Sequence, residues 1–372
     1  MTDHREGTDP GARPGWGRLL DDGRAALPDA LASVDEAVTA GGERALVVRV
    51  AGGLAVDVLP DRGLDLGAAW WAGVPLAWRS PHPRDPGPVR DWEDRFLGGL
   101  LATCGPDNIG APRGASGQHG THHVTPAHDV RWWRERSGAG ARAGDGGDGG
   151  DEIEVHVAGS VAHSSLYGAR VVVEREIVVA TGRPWVEVRD VVRNVGAAPV
   201  GVPLLYHVNL GAAVLVEGSR LEADAEAAVP AGPLPAGRDA VTFPCPAPGE
   251  SYVVAEHPAV RATDGRARAV VRPTGLPVAP DQGSGSDGGA EVVVEWRAAT
   301  MPRLYSWLWP AAGSWVLGVE PANAPLVGPE RDLPHGGAPV LAPGETWECG
   351  VRIGVQVGVQ VGVRGADAGG AA

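Results

Sequence analysis

Two stretches of the chain set a titratable group inside an otherwise apolar, strand-like run. In PLLYHVNLG, residues 203–211, His207 and Asn209 alternate with Tyr206 and Val208, so the two polar side chains share one face of a strand. In VLGVEPANAP, residues 316–325, Glu320 closes an apolar strand just before Pro321. A carboxylate in such a place is either paired structurally or kept for proton transfer. Two further clusters offer binding groups. Arg62 sits in the turn PDRGLDLG, residues 60–67, where Asp61 or Asp65 is an alternative structural partner. Residues 97–123, LGGLLATCGPDNIGAPRGASGQHGTHH, combine Gly98, Gly99, Gly105 and Gly110, which permit close backbone approach, with Asp107, Asn108 and His119, which offer polar groups to a small molecule. His119, His122, His123 and His128 also raise the question of a metal, since imidazole is its commonest ligand, but H-x2-H-H-x4-H matches no recognised zinc spacing.

The elements that must position these groups are strands. In 372 residues there are 56 Gly and 33 Pro, close to a quarter of the chain, which disfavours a helical bundle, coiled coil or helical solenoid. Residues 43–59 read as two β-branched runs around Gly52 and Gly53, and residues 170–193 repeat the design around Thr181 and Gly182. Within the second, Trp185, Glu187 and Arg189 alternate with Val186, Val188 and Asp190. Similar segments fall at 128–134, 152–158, 201–208, 291–297, 303–309 and 314–320, and a last strand is expected from 346 to about Val355, before the low-complexity VQVGVQVGV ends. DALASVDEAV, residues 29–38, is the nearest approach to a helix and is ambiguous on its own. Short strands separated by Gly and Pro turns argue for an all-β sandwich or barrel.

Charge and composition exclude several roles. All 32 basic residues are Arg, none Lys, and with 46 acidic residues the formal net charge is -14, leaving no broad basic face for nucleic acid or an anionic membrane. A 43% hydrophobic content is ample for a core, and no run approaches the roughly 18 apolar residues of a membrane helix. The polar start lacks the pattern of a secretory signal, so a cytoplasmic location is expected. Cys104, Cys245 and Cys349 are odd in number and far apart, and are read as reduced packing residues. The expected organisation is a flexible segment 1–28, one β-sandwich domain over 29–356 with loop inserts at about 137–151 and 278–290, and a low-complexity tail 357–372.

Taken in order, PDRGLDLG, GVPLAW, FLGGLLATCGPDNIG, HG, LLYHVNLG, GVEPAN and LAPGE resemble the DUF4432 family of aldose 1-epimerase-like proteins, within the galactose mutarotase superfamily, over about residues 30–353. The resemblance implies a β-supersandwich of two large, mostly antiparallel sheets with a concave sugar-binding face, and it recasts residues 31–38 as a strand. It implies that His207 is a general acid and Glu320 a general base. It also implies that His119, followed by Gly120, and Arg62 contact a sugar. Asp107, Asn108 and Asn209 are then hydrogen-bonding candidates, and a Trp such as Trp307 or Trp309 is a platform for the apolar face of the ring. The chain departs from the family in having Thr121, His122 and His123 after HG, and PRLYSWLWP where relatives carry a lysine motif.

The chemistry suits these residue types. Anomer exchange requires the C1 hydroxyl to lose a proton while the ring oxygen gains one, and one base and one acid suffice, with no metal, nucleotide or redox cofactor. The implied function is a cofactor-independent mutarotase acting on a small-molecule sugar. The alternatives are a non-catalytic carbohydrate-binding protein on the same fold, and a metal-dependent isomerase using the histidine cluster.

Overall fold

The strand pattern predicted from alternation is realised in a computed structural model, which describes residues 15–82, 91–137, 151–277 and 289–357. The first fourteen residues, most of both Gly- and Asp-rich inserts and the tail beyond Val357 lie outside the described residues. Of the segment 1–28, residues from 15 onward are described: Arg18–Asp21 forms one helical turn, Gly17 N–H donates to the Asp151 carbonyl at 2.9 Å, and Arg136 bridges Asp21 and Asp151.

An eleven-stranded and an eight-stranded sheet face each other, with antiparallel pairing throughout the named strands. The centre of the larger sheet runs Asp65–Trp71, Leu101–Cys104, Leu205–Leu210, Val316–Ala322, Arg303–Trp309, Val253–His257. The smaller is built on Ile153–Ser164, Arg170–Ala180, Trp185–Asn194 and Thr346–Val357. Both predicted hairpins are present, and the last strand extends to Val357, two residues past its expected end. Residues Ala32–Val38 form an edge strand paired with Arg44–Val50, so the segment with helical ambiguity is extended because a neighbour satisfies its backbone groups. Among the described residues no helix is long and apolar enough to cross a membrane.

Alternation decides which residues meet between the sheets. Val173, Ile177 and Val179 of one strand, and Val186, Val188 and Val192 of the next, join Leu66, Leu101, Tyr206, Val208, Leu317 and Val319 of the larger sheet in one buried cluster. Arg175 lies in register with those valines and therefore points into this core, its side chain wholly buried. It donates to both oxygens of Asp190 at 2.8 and 2.7 Å, to Asp65 at 2.6 Å and to Thr103 Oγ1 at 2.9 Å. Thr103 donates to Asp65 through both its backbone N–H and its hydroxyl, and Tyr206 O–H donates to Asp190 at 2.8 Å. One cation thus joins the two sheets through two carboxylates and the Thr103 hydroxyl, with the Tyr206 hydroxyl bonded to one of the carboxylates. The free thiols Cys104 and Cys349 are buried, Cys349 beside Tyr206 O–H, whereas Cys245 is exposed.

Removing one member of such a set leaves uncompensated charge in a medium that solvates it poorly. Arg175→Met, which strands Asp65 and Asp190, is expected to lower the unfolding free energy by about 3–5 kcal/mol at neutral pH. Urea denaturation followed by tryptophan fluorescence measures it; a loss below about 1 kcal/mol contradicts the bridging role.

Candidate active site

The face of the larger sheet turned away from the sandwich core carries the polar groups singled out in the sequence. In Leu205–Leu210, Tyr206 and Val208 enter the core, which leaves His207 on the opposite face, across from Ala102. The next strand, Val316–Ala322, buries Leu317 and Val319 and presents Gly318 and Glu320 beside His207. Glu320 Oε1 stands 3.4 Å from His207 Nε2, with the residues 2% and 4% exposed.

Gly318 makes this meeting possible. A Cβ there would lie 2.7 Å from Glu320 Oε1 and 3.1 Å from His207 Cε1, so the carboxyl occupies the space a side chain would fill. Burial sets the protonation of the pair. It raises Glu320 to about 8 and lowers His207 to about 4, because both charged forms lose their hydration. Near neutral pH the pair therefore holds one proton, on the carboxyl, next to a neutral imidazole.

His119 arrives from the loop between Leu101–Cys104 and the short turn His122–Val124, its ring centroid 5.9 Å from that of His207. The loop is tied tightly. Gly105 N–H donates to the His119 carbonyl, and His119 N–H donates to the Gly110 carbonyl. His119 adopts a φ of 59°, and Gly120, at 67°, has no room for a Cβ, which would meet Asn108 O and Asp107 Oδ1 at 2.6 Å. A non-glycine residue held in this region costs about 1–3 kcal/mol and needs a surrounding structure that enforces it. Gly110 N–H lies 3.4 Å from His119 Nδ1, an arrangement that assigns the ring proton to Nε2. Burial, then the nearby His207, Arg331 and Arg95, keep this ring neutral.

Asp107 and Asn108, expected as ligand contacts, brace this loop. Asp107 Oδ1 accepts from the backbone and hydroxyl of Thr121 at 3.0 and 3.1 Å. The Asn108 amide donates to the Ala111 and Gly117 carbonyls at 2.9 and 2.8 Å, and its oxygen accepts from Arg331 at 3.2 Å, so its polar ends are committed within the protein. Asn209 lies on the His207 face as alternation predicted and is fully buried; its amide donates to the Gly99 and His207 carbonyls, leaving Oδ1 without a partner among the described residues. Arg62 is buried and ion-paired with Glu43, and its charge reaches the site through His123.

Aromatic rings close around the pair. Phe96, Trp307 and Trp92 have centroids 5.2, 5.6 and 6.0 Å from the His207 ring. Trp309, named with Trp307 as a platform, is one step further out, 5.8 Å from Trp307. Cross-strand register explains the difference, since Trp307 is opposite Gly318 whereas Trp309 is opposite Val316. Trp92 and Phe96 escaped notice in the sequence because they flank a single helical turn, Trp92–Arg95, with no periodicity to mark it; their i, i+4 spacing, which stacks the rings at 4.3 Å, was the available signal.

The four histidines near the HG motif do not converge. His122 Nε2 is 3.0 Å from the Gly63 carbonyl and its Nδ1 is 3.2 Å from His163, while His128 is exposed beside Asp129. Among the described residues no group of three or more His, Cys, Asp or Glu is placed to hold a metal ion.

This nearly all-β chain of two large antiparallel sheets has a galactose mutarotase-like fold by its likeness to solved structures. Solved structures agree on this architecture. A putative aldose 1-epimerase from Klebsiella pneumoniae superposes with a TM-score of 0.70 at 19% identity, covering 87% of this chain and 83% of that one. A galactose mutarotase-like protein from Clostridium acetobutylicum gives 0.52 at 13% identity, covering 88% and 99%. A galactose 1-epimerase from Lactobacillus acidophilus gives 0.52 at 13%, also covering 88% and 99%. Comparison with curated proteins finds no match. Residues 40–355 match the family described as Domain of unknown function (DUF4432), and the chain belongs to that family.

The buried pair has a thermodynamic signature. Glu320 keeps its proton to about pH 8 when folded but only to its ordinary value of 4.5 when unfolded, so its contribution is full below 4.5 and is lost as pH rises to about 8. His207, lowered from 6.5 to about 4, acts oppositely, and stability from it rises with pH between those values. Above pH 6.5 only the carboxyl slope of the two remains. At about 1.36 kcal/mol per pH unit, Glu320 should lower stability by about 2 kcal/mol between pH 6.5 and 8, and Glu320→Gln should remove that part of the fall, leaving the part from His156, which Glu154 holds above its ordinary value. Urea unfolding of both proteins at a series of pH values measures it; parallel curves for the two would contradict a buried, protonated carboxyl.

Proposed function

We propose that the chain is an aldose 1-epimerase-like enzyme that binds a small-molecule sugar and interconverts its anomers by general acid and base catalysis. The observation that carries this reading is the His207 and Glu320 pair, buried and 3.4 Å apart on the outer face of the larger sheet. Around it, His207 Nδ1, Glu320 Oε1 and Asn209 Oδ1 are buried without hydrogen-bond partners among the described residues. Unmet polar groups of this kind are costly and are characteristically satisfied by a ligand or water. A polyol brings hydroxyls that both donate and accept, and its apolar ring face suits Trp307.

The proton count closes. One member of the pair takes the proton of the C1 hydroxyl while the other gives a proton to the ring oxygen; the C1–O5 bond breaks and C1 becomes an aldehyde. Rotation about C1–C2 exposes the other carbonyl face. Closure runs the same transfers in reverse, re-forming C1–O5 and returning the pair to its starting protonation. In the order implied by the resemblance, with Glu320 as base and His207 as acid, the reacting form of the pair carries its proton on His207 rather than on Glu320. No metal, nucleotide or redox cofactor enters this scheme.

Two outcomes test it. Anomer exchange of a panel of aldoses, followed by polarimetry or NMR, should exceed the spontaneous rate, and His207→Ala or Glu320→Gln should each lower the rate about 100- to 10,000-fold while sugar binding survives. The rate should be level between about pH 4 and 8, falling below because no base remains and above because no acid remains. Wild-type rates in both variants would refute the assignment; binding by wild type with no exchange would favour a carbohydrate-binding protein without turnover.

A further inference from the structure

His123 has no assigned role in the scheme above, yet it is the most conspicuous unmet polar group on this side of the sheet. It is 3% exposed, and both ring nitrogens are buried without a hydrogen-bond partner among the described residues. Its neighbour His122 illustrates the contrast, with both nitrogens engaged by Gly63 and His163. The ring of His123 stands edge-on to Trp92 at 4.5 Å, and Trp92 also touches His119 at 4.5 Å and lies 6.0 Å from His207. Three imidazoles therefore surround one indole, and two of them belong to the proposed sugar site.

The electrostatic setting fixes the form of the ring. Burial first, and then the nearby guanidinium of Arg95, hold it neutral. A neutral imidazole offers one N–H donor and one lone pair on opposite edges. Leaving both unused in the interior costs about 1–3 kcal/mol for each group, and a purely packing role at this position would be served better by an apolar residue. A hydroxyl satisfies either edge, whereas a carboxylate or an ammonium satisfies only one.

We propose that His123 is a specificity-determining residue that hydrogen-bonds a sugar hydroxyl away from the anomeric carbon. This rests on the sugar-site reading above. His123 touches none of the reacting atoms, so it acts on binding and on the choice among epimers or deoxy sugars. It is contributed by the Thr121-His122-His123 stretch that follows Gly120.

The test compares wild type, His123→Phe and His123→Asn, using aldoses and their monodeoxy analogues, with affinity read by calorimetry or NMR titration and exchange by polarimetry. His123→Phe should weaken binding, or raise KM, about ten- to hundredfold with kcat changed less than about threefold. His123→Asn, which keeps a donor and an acceptor, should recover part of the loss. Wild type should discriminate against one deoxy position, and His123→Phe should be indifferent there. The unfolding midpoint of His123→Phe should be unchanged or higher, since no internal hydrogen bond is lost. Wild-type affinity in His123→Phe, or weakened binding only in step with lost stability in both variants, overturns the assignment alone. Sugar binding without exchange by wild type removes the anomerase reading and leaves the affinities to decide on His123; no binding of any aldose by wild type overturns both.

Discussion

The buried guanidinium of Arg175 is the constraint on which the arrangement depends. It takes two carboxylates, Asp65 and Asp190, and the Thr103 hydroxyl from both sheets at once. Charge of this kind is tolerated only when every partner is in place, so it fixes how the sheets sit face to face more narrowly than apolar packing does. Its reach extends to the site. Thr103 belongs to the strand paired with His207, and Tyr206, bonded to Asp190, immediately precedes His207 in the chain. Consecutive residues of one strand thus anchor the core on one face and present an imidazole on the other.

On that outer face the governing principle is reversed. The core satisfies its polar atoms, whereas the site leaves them open, with His207, Glu320, Asn209 and His123 each keeping a buried atom unpartnered among the described residues. Trp92, Phe96 and Trp307 supply the low-dielectric surroundings that move the proton of the pair onto the carboxyl. The same burial that makes these groups expensive to hold makes them responsive to a hydroxylated guest.

Much of this was legible in strand alternation. The shared face of His207 and Asn209 follows from a period of two; Glu320, expected to close its strand before Pro321, instead lies within Val316–Ala322, because Pro321 and Ala322 still pair with Leu304 and Arg303. Arg175 was legible in principle as well, since it falls on the valine face of its strand, as Asp190 does on the next; recognising them as partners required knowing that those strands are neighbours with Asp65 opposite. Asp107 and Asn108 show the limit from the other side. Their residue types suit a ligand, and their bracing of the loop went unread because the turns that bring Thr121, Gly117 and Arg331 against them are set by backbone geometry that composition does not encode. Trp92 and Phe96 were hidden because a single helical turn leaves no periodic trace.

Gly318 gives the site a dependence of another kind. Its missing side chain is the volume in which the Glu320 carboxyl rests, with Trp307 closing the remaining edge through its Cβ, 3.2 Å from where a methyl would stand. The proton-carrying group is therefore seated by a vacancy in its own strand, two residues away, rather than by a side chain that grips it. A site built this way has no partner to lose by drift at a distant position, but it has one residue whose smallest enlargement evicts the Glu320 carboxyl.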